Sequence, residues 1–359
     1  MNLRDISIDE VSGALAHPVG KPARAQHQRA GLVLRLRDAE GNVGVGEASP
    51  LPGFSSDSLE SCRAALEKLK VPELAACMSG PGSLIERFVR ARGLLPAGSP
   101  AATFALETAL LDLTCHRERC SPFELLGRPA LERMELNAVV DGSSADACDH
   151  AFALARQGYS TLKVKLGLRW EQGIATLTRL SRESGFRLRA DANRELCAED
   201  LEAALPRLAA LELEFLEEPC APELWPLLPA ERPPLALDET LGGTAARDLP
   251  ALLDASHAAV VVLKPMALGG FAACLALADT ARAVGCEVVI THLFDGPIAL
   301  RAASVLALVV QSPRFAAGLA PHPGLGAWPA ALASVDPGPC LHPGIFRAGI
   351  STTHVSDDD

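Results

Sequence analysis

At 359 residues the chain is long enough to bury a large core and, as a prior from length, to form two domains. Its 33 basic and 44 acidic residues leave a formal charge of −11 with no basic stripe or interleaved aromatics, which argues against a nucleic-acid partner. The start, Met1-Asn2-Leu3-Arg4-Asp5-Ile6, lacks the charged, apolar and small-residue order of a signal peptide, and no apolar run is long enough to span a bilayer, so a cytoplasmic protein without a membrane partner is expected.

Residues 1–130 have their own character and are expected to form an α+β domain. A strand is predicted over 31–36, a turn from Asp38 to Asn42, a second strand into Glu47, and helices near 59–69 and 102–113. Between strand and helix lies Gly46-Glu47-Ala48-Ser49-Pro50-Leu51-Pro52-Gly53-Phe54-Ser55, whose prolines and glycines read locally as a turn. The ten cysteines are scattered, mostly among alanine and leucine, and read as buried free thiols. Cys115 and Cys120 have no second pair to complete a zinc site.

From residue 131 the pattern changes. Apolar runs end on charged residues: Lys163-Val164-Lys165, Ala190-Asp191, Phe215-Leu216-Glu217-Glu218-Pro219, Leu237-Asp238-Glu239 and Val262-Leu263-Lys264-Pro265. The intervals from Lys165 to Asp191, Glu217, Asp238 and Lys264 are 26, 26, 21 and 26 residues, each roughly one strand, one helix and two loops. The first of these runs is predicted as a strand over 161–166, and further strands are predicted at 134–140, 287–291 and 315–319, eight in all. Eight parallel strands separated by helices close into a TIM-type (β/α)8 barrel, whose catalytic groups sit at the C-terminal strand ends. The barrel is expected over 131–325, followed by a segment over 326–359 that ends in a solvated tail, Ser356-Asp357-Asp358-Asp359.

The strand ends carry chemistry. Side chains two apart on a strand share a face, so Lys163 and Lys165 point the same way with Cα atoms roughly 6.5 Å apart. Two such ammonium groups lower each other's proton affinity, and one can then act as general base. Asp191, Glu217 and Asp238 come from successive strands, and three converging carboxylates need a cation; hard oxygen ligands select Mg2+, with Mn2+ compatible. Strand alternation favours Glu217 over Glu218 as a ligand, and Asp238 is likewise preferred to Glu239. Lys264 enters from the side of the barrel opposite Lys165, so a clamped carboxylate would meet a lysine on each face, which suits removal of the proton beside it.

Together these motifs resemble the enolase superfamily and, within it, the muconate-lactonizing-enzyme-like subgroup. The resemblance implies a modified (β/α)7β barrel capped by an α+β domain to which the C-terminal segment returns. It also implies that superfamily's general pattern of a lysine or histidine base with one or two Mg2+ ions. The Pro50 to Ser55 loop, the run Asp191-Ala192-Asn193-Arg194 and Leu216-Glu217-Glu218-Pro219-Cys220 are similar to those of the o-succinylbenzoate synthase branch. That likeness implies a syn dehydration of 2-succinyl-6-hydroxy-2,4-cyclohexadiene-1-carboxylate in menaquinone biosynthesis. It implies Lys165 as base, Lys163 as its tuner, Lys264 as electrostatic stabiliser, and Asp191, Glu217 and Asp238 as Mg2+ ligands. Phe54, Ser55, Asn193, Thr291 and His292 are the expected substrate contacts. The expected partner is a small-molecule carboxylate, with a homo-oligomer left open.

Two segments depart from that branch: Thr291-His292-Leu293-Phe294-Asp295-Gly296-Pro297-Ile298 is not rich in serine and threonine, and Gly318-Leu319-Ala320-Pro321-His322 has no acidic residue. N-acylamino acid racemisation or dipeptide epimerisation is the nearest alternative, because it shares the two lysines. A Schiff-base aldolase would leave the carboxylates without purpose.

Overall fold

The computed structural model describes residues 2–19, 26–183, 185–329, 338–347 and 349–351; the predicted tail at 356–359 lies outside them. The chain opens with an antiparallel sheet of three strands, β1 (Leu3–Val19), β2 (Gln26–Asp38) and β3 (Val43–Ala48). The predicted turn joins β2 to β3, with the Asp38 carboxylate accepting from the backbone and side-chain nitrogens of Asn42, both at 2.8 Å. Helices α1 (Leu59–Leu66), α2 (Val71–Ser79), α3 (Leu84–Arg92), α4 (Pro100–Glu118) and α5 (Pro122–Leu126) follow. The strand β1 and the helices α2, α3 and α5 are additions to the sequence reading. A capping box did mark α3: the Ser83 hydroxyl accepts from the Glu86 backbone N–H, and the Glu86 carboxylate accepts in return from that of Ser83.

The helix α4 has no polar face, and residues 101–115 are all buried. Its approach to β3 depends on two glycines. A Cβ at Gly44 would stand 2.2 Å from the Ala109 carbonyl oxygen, and one at Gly46 would stand 1.9 Å from that of Ala105. Such backbone contact is open only to a residue without a side chain.

The barrel follows. Its parallel sheet runs in sequence order through β5 (Asn137–Asp141), β6 (Thr161–Lys165), β7 (Arg187–Asp191), β8 (Leu213–Glu217), β9 (Leu235–Leu237), β10 (Ala258–Leu263) and β11 (Glu287–Ile290). The eighth predicted strand is reduced to two parallel bridges, Leu136 to Ala317 and Thr291 to Gly318, which close the ring. The front of the predicted strand 134–140 turns away as β4 (Met134–Glu135) and pairs antiparallel with β12 (Cys340–Leu341).

The helices α6 (Ala147–Arg156), α7 (Trp170–Arg182), α8 (Ala198–Ala209), α9 (Leu249–Ser256), α10 (Pro265–Leu268), α11 (Gly270–Ala283) and α12 (Pro297–Val310) fill the crossovers. The link from Glu217 to Asp238 is an exception to the expected βα repeat: it contains only a 3-10 segment, Pro222–Leu227. Prolines at 219, 222, 226, 229, 233 and 234 deny that stretch the amide donors of an α-helix.

The barrel interior is packed. Phe215, Ala236, Val260, Val262, Val289 and Phe315 form an inner cluster, and the buried Arg189 guanidinium lies 4.7 Å from the Phe215 ring centroid. Its Nε donates to Glu214 at 2.7 Å and its Nη1 to Asn137 Oδ1 and the Ala316 carbonyl, both at 2.9 Å. The inward face of this end is therefore a floor, and chemistry is confined to the opposite strand ends.

Buried polar side chains tie the front sheet and α4 to the barrel. Arg29 of β2 donates to Phe294 O and Pro50 O, both at 2.9 Å, to Leu293 O at 3.2 Å, to Ala30 O at 3.4 Å, and to Ser49 O. Glu47 of β3 accepts from Gly296 N at 2.7 Å, Ile298 N at 3.1 Å and Ala299 N at 3.2 Å, capping α12 across some 250 residues of sequence. Glu107 of α4 accepts from Ala272 N at 3.0 Å, at the start of α11.

Arg29→Ala would leave five backbone carbonyls without that donor. It is expected to lower the unfolding free energy by about 3 kcal/mol. Urea denaturation reads this directly, and an unchanged midpoint would show that other contacts hold the two loops together.

Candidate active site

Strand register sets the site's layout. Lys165, Asp191 and Glu217 are register partners at the ends of β6, β7 and β8. Asp238 follows β9 directly, and Lys264 follows β10. The eight-segment ring puts β10 four places from β6, so Lys165 and Lys264 face one another across the mouth.

Ammonium and carboxylate groups alternate along this row. Lys163 Nζ lies 3.0 Å from Asp191 Oδ2 and 3.0 and 3.2 Å from the two Glu217 oxygens. Lys165 Nζ lies 3.1 Å from the same Asp191 Oδ2 and donates to Asn193 Oδ1 at 2.9 Å. Lys264 Nζ is paired with Asp238 Oδ2. Burial opposes the charge on Lys163, yet Asp191 and Glu217 outweigh it and raise its proton affinity. For Lys163 this departs from the expectation of depression by its neighbour, because the Asp191 carboxylate stands beside it. Burial likewise opposes charge on Asp191, but Lys163, Lys165 and Lys264 hold its carboxyl below the usual range. Burial pushes Asp238 up, against the pull of Lys264.

The three carboxylates do not converge as a free cluster; among the described residues no three carboxylate, imidazole or thiol groups are gathered for a metal. The lysines stand among them. One feature nevertheless fits a hard cation: Asp191 Oδ2 is fully buried and, despite two nearby ammonium groups, receives no well-directed hydrogen bond. An all-oxygen donor set with such an unsatisfied acceptor suits Mg2+ or a similar ion.

The neighbouring acids have separate tasks. Glu218 (φ 42°) turns away from the row and accepts from Asp238 N at 2.8 Å, Thr240 N at 2.7 Å and Arg194 Nε at 2.9 Å. It thereby fixes the loop that carries Asp238. Glu239 Oε1 accepts from Asn193 Nδ2 at 2.9 Å, so Asn193 bridges Lys165 and Glu239. The Arg194 and Glu239 contacts were not anticipated, because they join loops after different strands.

A cavity of about 300 Å³ opens beside Lys264, lined by Phe54, Ser56, Val262, Leu268 and Leu293 together with Asp238 and Glu239. Phe54 forms part of that wall. Ser55 instead closes its own turn, its hydroxyl accepting from Leu51 N at 2.9 Å, and Ser56 lines the cavity. Thr291 donates through Oγ1 to Gly318 O at 3.0 Å, on the seam of the barrel. His292 accepts from Phe294 N at 2.9 Å and stacks on His322 at 4.6 Å. Burial keeps His292 well below its usual pKa and brings His322 to about 4, so both rings are neutral at pH 7. A groove of about 370 Å³ between Phe152 and Phe186 lies at the other end of the barrel, away from this row.

Comparison with known proteins agrees with the geometry. The family described as Enolase C-terminal domain-like matches residues 146–336, and the one described as MenC, N-terminal domain matches 18–76. The chain is 30% identical to an L-Lys-D/L-Arg epimerase of Methylococcus capsulatus, covering 88% of this chain and 89% of that protein. It is also 30% identical to an o-succinylbenzoate synthase of Desulfotalea psychrophila, covering 74% and 79%. A crystal structure of the dipeptide epimerase from Methylococcus capsulatus, complexed with Mg and the dipeptide L-Arg-D-Lys, superposes with a TM-score of 0.73 at 26% identity over 88% of this chain and 90% of that one. Two activities at equal identity leave the reaction open, but the family match, the capped barrel and the lysine-carboxylate row agree: the chain belongs to the enolase superfamily, in its muconate-lactonizing-enzyme-like subgroup.

Proposed function

We propose that the chain is an o-succinylbenzoate synthase, dehydrating 2-succinyl-6-hydroxy-2,4-cyclohexadiene-1-carboxylate in menaquinone biosynthesis. The observation that favours this over epimerisation is the segment after the eighth strand. Ala320-Pro321-His322 offers no carboxylate to hold a free amine, and His322 Nε2 bonds inward to the Asp295 carbonyl at 2.7 Å. The match of residues 18–76 to the MenC N-terminal family supports the same reading. Epimerisation remains the second reading because the two lysines face each other across the mouth, as proton exchange at one carbon requires.

Accessibility separates the roles of the lysines. The Lys165 side chain is 39% exposed, whereas that of Lys163 is 10% exposed and held by two carboxylates. Lys163 stays protonated and shapes the field; Lys165 reaches the substrate and takes the proton beside its carboxylate. The same nitrogen then returns that proton to the departing hydroxyl on the same face, releasing water. Lys264, fixed by Asp238, presents positive charge from the opposite side as charge builds on the substrate carboxylate. Asp191, Glu217 and Asp238 would hold Mg2+, which when bound supplies Lewis-acid stabilisation of that charge. Asn193 orients Lys165, and Phe54 closes the cavity wall.

The deciding assay is Mg2+-dependent loss of the cyclohexadiene carboxylate, followed by ultraviolet absorbance beside an N-succinylamino acid racemisation assay. Dehydration abolished by EDTA is expected; racemisation alone would overturn the synthase reading. Lys165→Ala should reduce kcat by at least about 10³-fold while Mg2+ binding persists, and appreciable residual turnover would remove Lys165 as the base. Asp238→Asn should weaken Mg2+ binding by about tenfold or more in calorimetry; an unchanged affinity would rule it out as a ligand.

A further inference from the structure

Val139 is 47% exposed, although it lies in the middle of a barrel strand. Its neighbours Ala138 and Val140 are buried in the main core, outside the ring, while Asn137 reaches the buried Arg189 inside it. Strand alternation therefore turns Val139 inward. Its register partner on β6 is Lys163, and Lys165 lies two residues further along, roughly 8 Å away between Cα atoms.

The other flank of β5 is open at this level. Among the described residues, the eighth segment bonds to the front of this strand only through the Glu135 carbonyl and the Asn137 amide, on either side of Leu136. The next inward residue, Asp141, spends its carboxylate on its own turn, accepting from Ser143 N at 3.0 Å and Ser143 Oγ at 2.8 Å. An uncovered isopropyl group thus stands in the concave mouth beside the exposed lysine, on the side opposite the Lys264 cavity. Its exposure contributes nothing to the core, so water released from it is available to binding.

We propose that Val139 is a specificity-determining residue that seats the apolar face of the substrate's ring, so that the site selects cyclic carboxylates over acyclic polar ones. This rests on the proposed reading of the reaction and extends it to the substrate surface. The ring's carboxylate reaches the Lys165 and carboxylate row, and the ring carbons cover the valine.

Val139→Thr, nearly isosteric but polar, tests this. With Mg2+ present, ligand-observed NMR would measure affinity for benzoate and for acetate, neither of which requires turnover. The expected result is benzoate binding weakened about tenfold, acetate unchanged, and KM for the cyclohexadiene carboxylate raised by a similar factor. Val139→Ala should fall between wild type and Val139→Thr, with thermal melts confirming that both variants fold. Equal benzoate affinity in wild type and Val139→Thr overturns the inference, as does a wild type that binds benzoate no better than acetate. A wild type that binds benzoate through Val139 yet fails to dehydrate keeps the inference and discards the synthase reading. Dehydration with an unchanged KM in Val139→Thr does the reverse.

Discussion

The structure depends on keeping charge neutral at one buried end of the barrel. Three lysines and three acidic side chains occupy strand ends that are mostly buried, and an isolated ion there would cost several kcal/mol. Alternation satisfies the constraint: Lys163 lies between Asp191 and Glu217, Lys165 shares Asp191, and Lys264 holds Asp238. The same alternation suits the family's chemistry. Groups that neutralise one another at rest are positioned to stabilise charge that appears on a substrate, and they need little reorganisation to do so.

A second constraint acts between the front sheet with α4 and the barrel. Arg29, Glu47 and Glu107 are buried and each meets backbone groups of a distant segment. Two of these contacts place a carboxyl oxygen at the N-terminus of a barrel helix, where it accepts from amides that have no partner within the helix. Because Arg29 holds the carbonyls of residues 49 and 50 together with those of 293 and 294, the loop carrying Phe54 and the loop after β11 are fixed relative to each other. The cavity beside Lys264 lies between them.

Chemistry and recognition are consequently drawn from different parts of the fold. The reactive groups sit on strand ends set by hydrogen-bonded register, which tolerates little displacement. The walls of the cavity beside Lys264 come largely from loops, which can vary without disturbing that register.

The parallel barrel and the charged strand ends were legible because both are short-range patterns: apolar runs of strand length, closed by a charge, at intervals near 26 residues. Alternation within five residues was enough to separate Glu217 from Glu218, since adjacent strand side chains must point to opposite faces. The long-range contacts were not legible. Ser55 and Ser56 differ only in how the loop closes, and Thr291 faces the barrel seam because Gly318 happens to oppose it. The pairing of Lys163 with two carboxylates, the Arg29 tie and the open flank at Val139 likewise bring together residues from separate strands or loops. The amino-acid order determined which groups stand at strand ends; only tertiary closure decided which of them meet, because partner choice is set by ring geometry and by the need to neutralise buried charge.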